Sequence, residues 1–313
     1  MEKNEHKFPT LLGRLIHISS VELSRPNQTH TIKTVTEVIK VVQQYLGEVD
    51  EEGSKEITEK QRLLVEAGTL ELLVRLMSWK ELPRTLFLEI LDLGCNILAV
   101  GGGYEEAQQR VHRFLCDSAS QSFFLSMESQ FRYSSEKMLA LYSGQIETTK
   151  ALHRRGSTRA DSMIRHFEDK NYESKSGDHN ENLSQEQKVA EDPGNCKLLR
   201  FWQWLCEGNY RPNQHLLRVQ HHNARSINLL TLAVNFLGEI AELDLGQIEN
   251  LRVAISLYEL LCEAVQGACL ENQRWLAIET ELLETSNNIL RQLNGLLALC
   301  FSTALVLELT LNT

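Results

Sequence analysis

The sequence predicts an all-α protein, an armadillo-like helical solenoid of antiparallel helix pairs with one long disordered insert. Three observations predict it. Apolar residues recur at three- and four-residue steps through most of the 313 residues, the spacing of one helix face. The five prolines (Pro9, Pro26, Pro83, Pro193 and Pro212) lie between apolar runs rather than inside them, so they leave long helices uninterrupted. No stretch alternates apolar and polar residues, and no hairpin signal joins two such stretches.

The elements follow in order. In 31–46, Ile32, Val35, Val38, Ile39, Val42, Tyr45 and Leu46 form one stripe, and Gly47 supplies the stop. Thr58 and Gln61 have the spacing of a capping box before Leu63–Val65. Gly68 ends that short helix, and Thr69 is placed to cap the next, with Leu70, Leu73, Val74 and Met77 inward. A run after Pro83 carries Leu86, Ile90, Leu93, Ile97 and Leu98 and closes at Gly101–Gly103. From Leu63 to Gly103 this reads as one armadillo repeat, a unit of about 40 residues that buries its apolar faces only against stacked neighbours. Helical runs at 105–116, 119–130 and 134–152 continue the array. Residues 156–195 are rich in Ser, Asn, Asp, Glu and Lys and read as a flexible polar insert. Order resumes with LLRFWQWLCEG, ended by Gly208. A helix over 225–242 is apolar on both faces and therefore central. Another spans 248–266 before Gly267, and one or two more fill 270–306. Three regions result: a helical region over 1–155, the insert over 156–195, and a second helical domain over 196–313.

Composition excludes several functions. A formal net charge of −10 gives no positive field for nucleic acid or an anionic membrane. Seven scattered cysteines, an odd number without CxxC spacing, read as reduced cytosolic thiols. The charged start MEKNEHKF is unlike a signal peptide. The uncharged stretch Gln292–Leu307 falls short of the roughly 20 residues of a membrane span and reads as a buried terminal helix. The end at LELTLNT, without a capping signal, fits a truncated reading frame or a splice form.

Candidate chemistry is sparse. Gly101–Gly103 are followed by Tyr104, not by the Lys-Ser/Thr of a phosphate-binding loop. There is no G-x-S-x-G elbow, and no nucleophile, base and oxyanion set, so no enzyme is expected. His215, His221 and His222 fall near Cys206 without zinc-like spacing and read as solvated helix-end residues. Lys150, Arg154, Arg155, Arg159 and Arg165 form a basic cluster, and Arg154-Arg155-Gly156-Ser157 fits the R-R-x-S pattern of basophilic kinases, which makes Ser157 a phosphorylation candidate. Glu207 and Glu263 each lie near the C-terminal end of an apolar helix, before a glycine. A carboxylate there opposes the helix dipole, so it either faces water or meets a positive group.

Two strings, LCEGNYRPNQHLLRVQ (205–220) and CEAVQGACLENQRWLA (262–277), resemble motifs of the intracellular calcium-release channels, the inositol trisphosphate and ryanodine receptors. LGCNILAVGGGYEEAQQRVHRFLCDSASQSFFLSM (93–127) resembles a third segment of that family. The order agrees, with the polar insert between. The family's Gly-Pro-Cys stands here as Gly267-Ala268-Cys269, and its Gly-Gly-Asn as Gly-Gly-Gly. No β-trefoil ligand-binding region and no pore helices are visible. The resemblance makes 196–313 the receptor-associated helical domain. It implies a fragment or short relative of such a channel: a cytosolic solenoid at the endoplasmic-reticulum face that relays ligand binding to a pore this chain lacks. The implied partners are other regions or subunits of a channel, with no nucleic acid and no membrane span. The resemblance also implies a weak calcium ion site at Glu207 and Glu263, with Gln266 supporting it. The alternative is a stand-alone armadillo-type adaptor that binds another protein.

Overall fold

The computed structural model describes Arg14 and residues 28–47, 55–79, 82–99, 105–116, 120–156 and 194–295. Among these it is all-helical, without a strand. The helices are α1 (Gln28–Leu46), α2 (Lys55–Glu66), α3 (Thr69–Met77), α4 (Arg84–Leu98), α5 (Glu105–Leu115), α6 (Gln121–Gly156) and α7 (Gly194–Cys206). A 3-10 turn (Glu207–Asn209) leads to α8 (Arg211–Arg218), α9 (Leu229–Ala241), α10 (Ile248–Val265) and α11 (Leu270–Ile278). A last helix, α12, covers 282–295. One compact unit comprises Met1–Phe131 and Gly194–Thr313. The other is Arg132–Pro193, whose described part is the continuation of α6.

Periodicity predicted the buried faces well. Val35, Ile39, Val42 and Leu46 of α1 are buried, as are Leu70, Leu73, Val74 and Met77 of α3. Both faces of α9 are buried, from Leu229 to Ala241, as its two-sided apolar pattern demands. The glycine stops also hold. Gly47, Gly68, Gly208 and Gly267 take positive φ, a region that costs a residue with a Cβ about 1–2 kcal/mol.

The first compact unit is centred on α7, which packs against both α4 and α10. Phe201 and Trp202 are fully buried, and the Trp202 ring lies 5.8 Å from Phe123 and 5.9 Å from Phe124. Burying each such ring contributes about 1.5–3 kcal/mol. Gly94 makes the close approach of α4 to α7 possible, since a Cβ there would lie 2.9 Å from Phe201 Cε2.

Four expectations need correction. Thr58 and Gln61 form no capping box, because α2 starts at Lys55. Gln61 instead donates to the carbonyls of Asn96 (2.7 Å) and Ala99 (3.1 Å), closing the end of α4. Thr69 does not cap α3. Gly68 holds that place, and the buried Thr69 Oγ1 has no hydrogen-bond partner. The runs at 119–130 and 134–152 are one helix, α6, because Phe131, Arg132 and Tyr133 contain no breaker. The helix expected over 225–242 begins at Leu229, where Asn228 Oδ1 accepts the Thr231 amide at 3.0 Å.

Of the insert, Gly156 ends α6, and Gly194 and Asn195 already belong to α7. The remainder, with Ser157, Arg159 and Arg165, lies outside the described residues, as do Gly101–Gly103 and the stretch after Gly295. Among the described residues no helix is long and apolar enough to cross a membrane.

Candidate functional site

A helix leaves its last carbonyls without intrahelical partners, and buried ones need donors. This chain supplies them from buried amide side chains of other helices. Gln108 of α5 donates to the carbonyls of Trp204 and Glu207, both at 2.9 Å, closing α7. Gln214 of α8 donates to those of Glu263 (2.7 Å) and Gln266 (3.0 Å), closing α10. Asn272 of α11 donates to Ala264 (3.0 Å) and Gln214 (2.7 Å), and Gln273 to Val265 (2.8 Å) and Gly267 (3.0 Å). The C-terminal ends of α7 and α10 are thereby held with neutral donors.

The same two ends carry Glu207 and Glu263. Glu207 lies one residue past α7, in the 3-10 turn, and that turn packs against α10. Asn209, at φ 62, lies over Gly267, where an added Cβ would meet its Oδ1 at 3.0 Å. Burial raises the Glu207 carboxyl, and Arg200 opposes that shift. Glu263 is raised further, to about 7, first by burial and then by the charge of Glu207. Glu263 Oε2 is buried without a hydrogen-bond partner. The buried thiol of Cys206, the residue before Glu207, is pushed well up by burial and next by Glu263. Arg200, the cation that opposes the Glu207 shift, also pairs with Glu259 at 3.6 Å and stacks 5.3 Å from the Trp204 ring.

The structure thus brings Glu207 and Glu263 into one electrostatic neighbourhood. Gln266 is exposed, and its backbone carbonyl is engaged by Gln214. The chemistry this arrangement offers is oxygen donation by two half-buried carboxylates with excess negative charge.

His221 and His222 are exposed, as expected of solvated residues. His215 meets Cys269 and Glu271, with ligand atoms all within 4.8 Å of one another. Sequence spacing hid this group, because Cys269 and Glu271 start a helix more than 50 residues later. Arg211 already donates to His215 Nε2 at 3.1 Å and lies 3.7 Å from Glu271, so the cluster carries its own cation. Cys95, Cys116, Cys206, Cys262 and Cys269 are free thiols.

The two carboxylates, the amides of Gln214, Asn272 and Gln273 and the strings 205–220 and 262–277 fall inside one matched segment, whereas Gln108 lies outside it. Residues 190–290 match the family described as RyR and IP3R Homology associated, so the segment that holds both carboxylates is similar to that domain.

Proposed function

We propose that the chain is a fragment or short relative of an intracellular calcium-release channel. In this reading it belongs to the cytosolic solenoid at the endoplasmic-reticulum face, where calcium binding is relayed toward a pore. Its partners are other regions or subunits of such a channel. The family of residues 190–290 supports the broad assignment. The observation that carries calcium binding is Glu263: its Oε2 is buried without a partner, and its carboxyl is raised to about 7 with Glu207 among the causes. A divalent cation between the two groups removes their repulsion and offsets the negative ends of both helices.

The donor set fits a hard cation. Glu207 and Glu263 would hold calcium, which prefers oxygen ligands and accepts 6–8 of them, leaving the others to water and nearby carbonyls. Gln266 would assist through water. Such an open site binds on the order of millimolar, and magnesium binds more weakly because it dehydrates reluctantly. Calorimetric titration of calcium into the wild-type chain and Glu263→Gln tests this. Saturable heat in the wild type, lost in the variant, is expected. Equal heats from both proteins would remove the site.

A stand-alone adaptor is the second reading. Leu270, Ile278, Leu283 and Leu290 of α11 and α12 are each more than half exposed, apolar side chains that a protein partner would cover.

A further inference from the structure

A second constellation lies where α5 meets α8, and it is independent of the calcium reading. Asn213 is fully buried, and its Nδ2 donates to the carbonyls of Leu205 (2.8 Å) and Gln108 (3.5 Å). Both of those groups accept only, so the amide has one possible orientation and its Oδ1 must face the other way. Oδ1 lies 3.1 Å from His112 Nδ1. An acceptor there puts the imidazole proton on Nδ1 and leaves a lone pair on Nε2. Nε2 lies 3.3 Å from Cys116 Sγ, one helical turn along α5, so the thiol donates to it. Tyr210 packs edge-on to the imidazole, with ring centroids 6.2 Å apart. Cys116 is half-buried, with Sγ next to a neutral base held in one tautomer.

We propose that Cys116 is a nucleophilic thiol that undergoes exchange with low-molecular-weight disulfides, with His112 as its general base and Asn213 as the positioning residue. The proton passes from Sγ to His112 Nε2 as the sulfur attacks one sulfur of the disulfide. A new S–S bond forms to Cys116 while the old one breaks. The departing sulfur leaves with the electron pair and takes the proton back from the imidazolium. One thiol is consumed and one released, so the disulfide itself is the only oxidant. Burial raises the Cys116 thiol and lowers the His112 imidazole, so the resting pair is neutral. The thiolate therefore forms only as the proton moves to Nε2, and the higher nucleophilicity of a thiolate of raised pKa offsets part of that cost.

Cys262 provides a control in the same molecule. It is exposed on α10, so accessibility alone favours it over Cys116. The experiment treats the full chain near neutral pH with substoichiometric dithiodipyridine, a small neutral disulfide. Modified cysteines are located by peptide mass mapping over time. Cys116 reacting ahead of Cys262 is the expected result. His112→Gln, which keeps a polar side chain but removes the base, should slow Cys116 about tenfold or more and leave Cys262 unchanged. A change at Cys262 would report altered folding and would discount the variant, leaving the wild-type order to decide. Cys262 reacting first in the wild type, or an unchanged Cys116 rate in a folded His112→Gln, would overturn the proposal.

Discussion

Replacing Gln214 by Ala removes one amide that serves two carbonyls. Gln214 is only 1% exposed, and its Nε2 binds Glu263 O at 2.7 Å and Gln266 O at 3.0 Å. The Glu263 carbonyl lies in the packed junction of α8 and α10 and loses its donor outright, at about 1–3 kcal/mol. Gln266 is exposed, so water can reach its carbonyl and the second loss is smaller. The truncated side chain leaves a void that adds about 1 kcal/mol. Together these give about 2–4 kcal/mol, or roughly 5–15 °C in Tm for a unit of this size. Gln273→Ala is the comparison. It removes the same kind of amide from Val265 O and Gly267 O, but one of its two bonds is exposed, so about 1 kcal/mol or less is expected. Gln214→Met keeps most of the volume and separates the hydrogen-bond loss from the void. Thermal unfolding followed by circular dichroism reads all three. Equal shifts for the two Ala variants, or full recovery in Gln214→Met, would refute the view that buried amides close these helices.

Two further outcomes follow from the same packing. Gly94→Ala places a Cβ 2.9 Å from a fully buried Phe201 ring that also packs edge-on against Trp202, so the ring has little room to yield. Overpacking of about 1–3 kcal/mol outweighs the roughly 1 kcal/mol gain in helix propensity, and the urea midpoint should fall. Glu263 has a folded pKa raised to about 7 from an ordinary value of 4.5, so the folded state binds more protons in that window and stability falls as pH rises through it. Glu263→Gln removes that fall. At pH 8 without calcium it should exceed the wild type by about 1–2 kcal/mol, the part of the shift that survives solvent screening, and near pH 4 the two should converge. Denaturant curves at both pH values check it, and a gap that persists at low pH would contradict the assignment.

What the sequence revealed was short-range. The stripe of α1 and the two-sided α9 follow from helical geometry, and the stops at Gly47 and Gly267 follow from the need for positive φ. Nearness of Glu207 and Glu263 came only through likeness to a family, since neither residue announces its neighbour 56 positions away. Polar partners were illegible for the same reason. Gln61 has the spacing of a local cap, yet its amide reaches α4, 35 and 38 residues on. The His112–Cys116 step of four residues is a local signal that could have been found, because i and i+4 share a helix face. Asn213, which fixes the imidazole, is 101 residues away and could not.

The ends of α7 and α10 show why the acidic pair is unusual. A lysine or arginine in the last turn commonly satisfies helix-end carbonyls and the helix dipole at once. Here neither helix has a basic residue in its last turn. From Val253 to Gln273 the sequence contains no Lys, Arg or His at all. Glutamine amides satisfy the carbonyls, but an amide is neutral and leaves the charge of the pole in place. Glu207 and Glu263 then add to that charge rather than cancel it. Arg200 offsets it in part from within α7, while also pairing with Glu259. The remaining ways to neutralise the pair are a proton on Glu263, favoured below about pH 7, and a cation from solvent. The two compete for the same oxygens. Calcium should therefore bind more weakly as pH falls through that value, which the calorimetric titration repeated at pH 6 and pH 8 would read directly. A calcium affinity indifferent to pH across that range would place any bound ion away from Glu263.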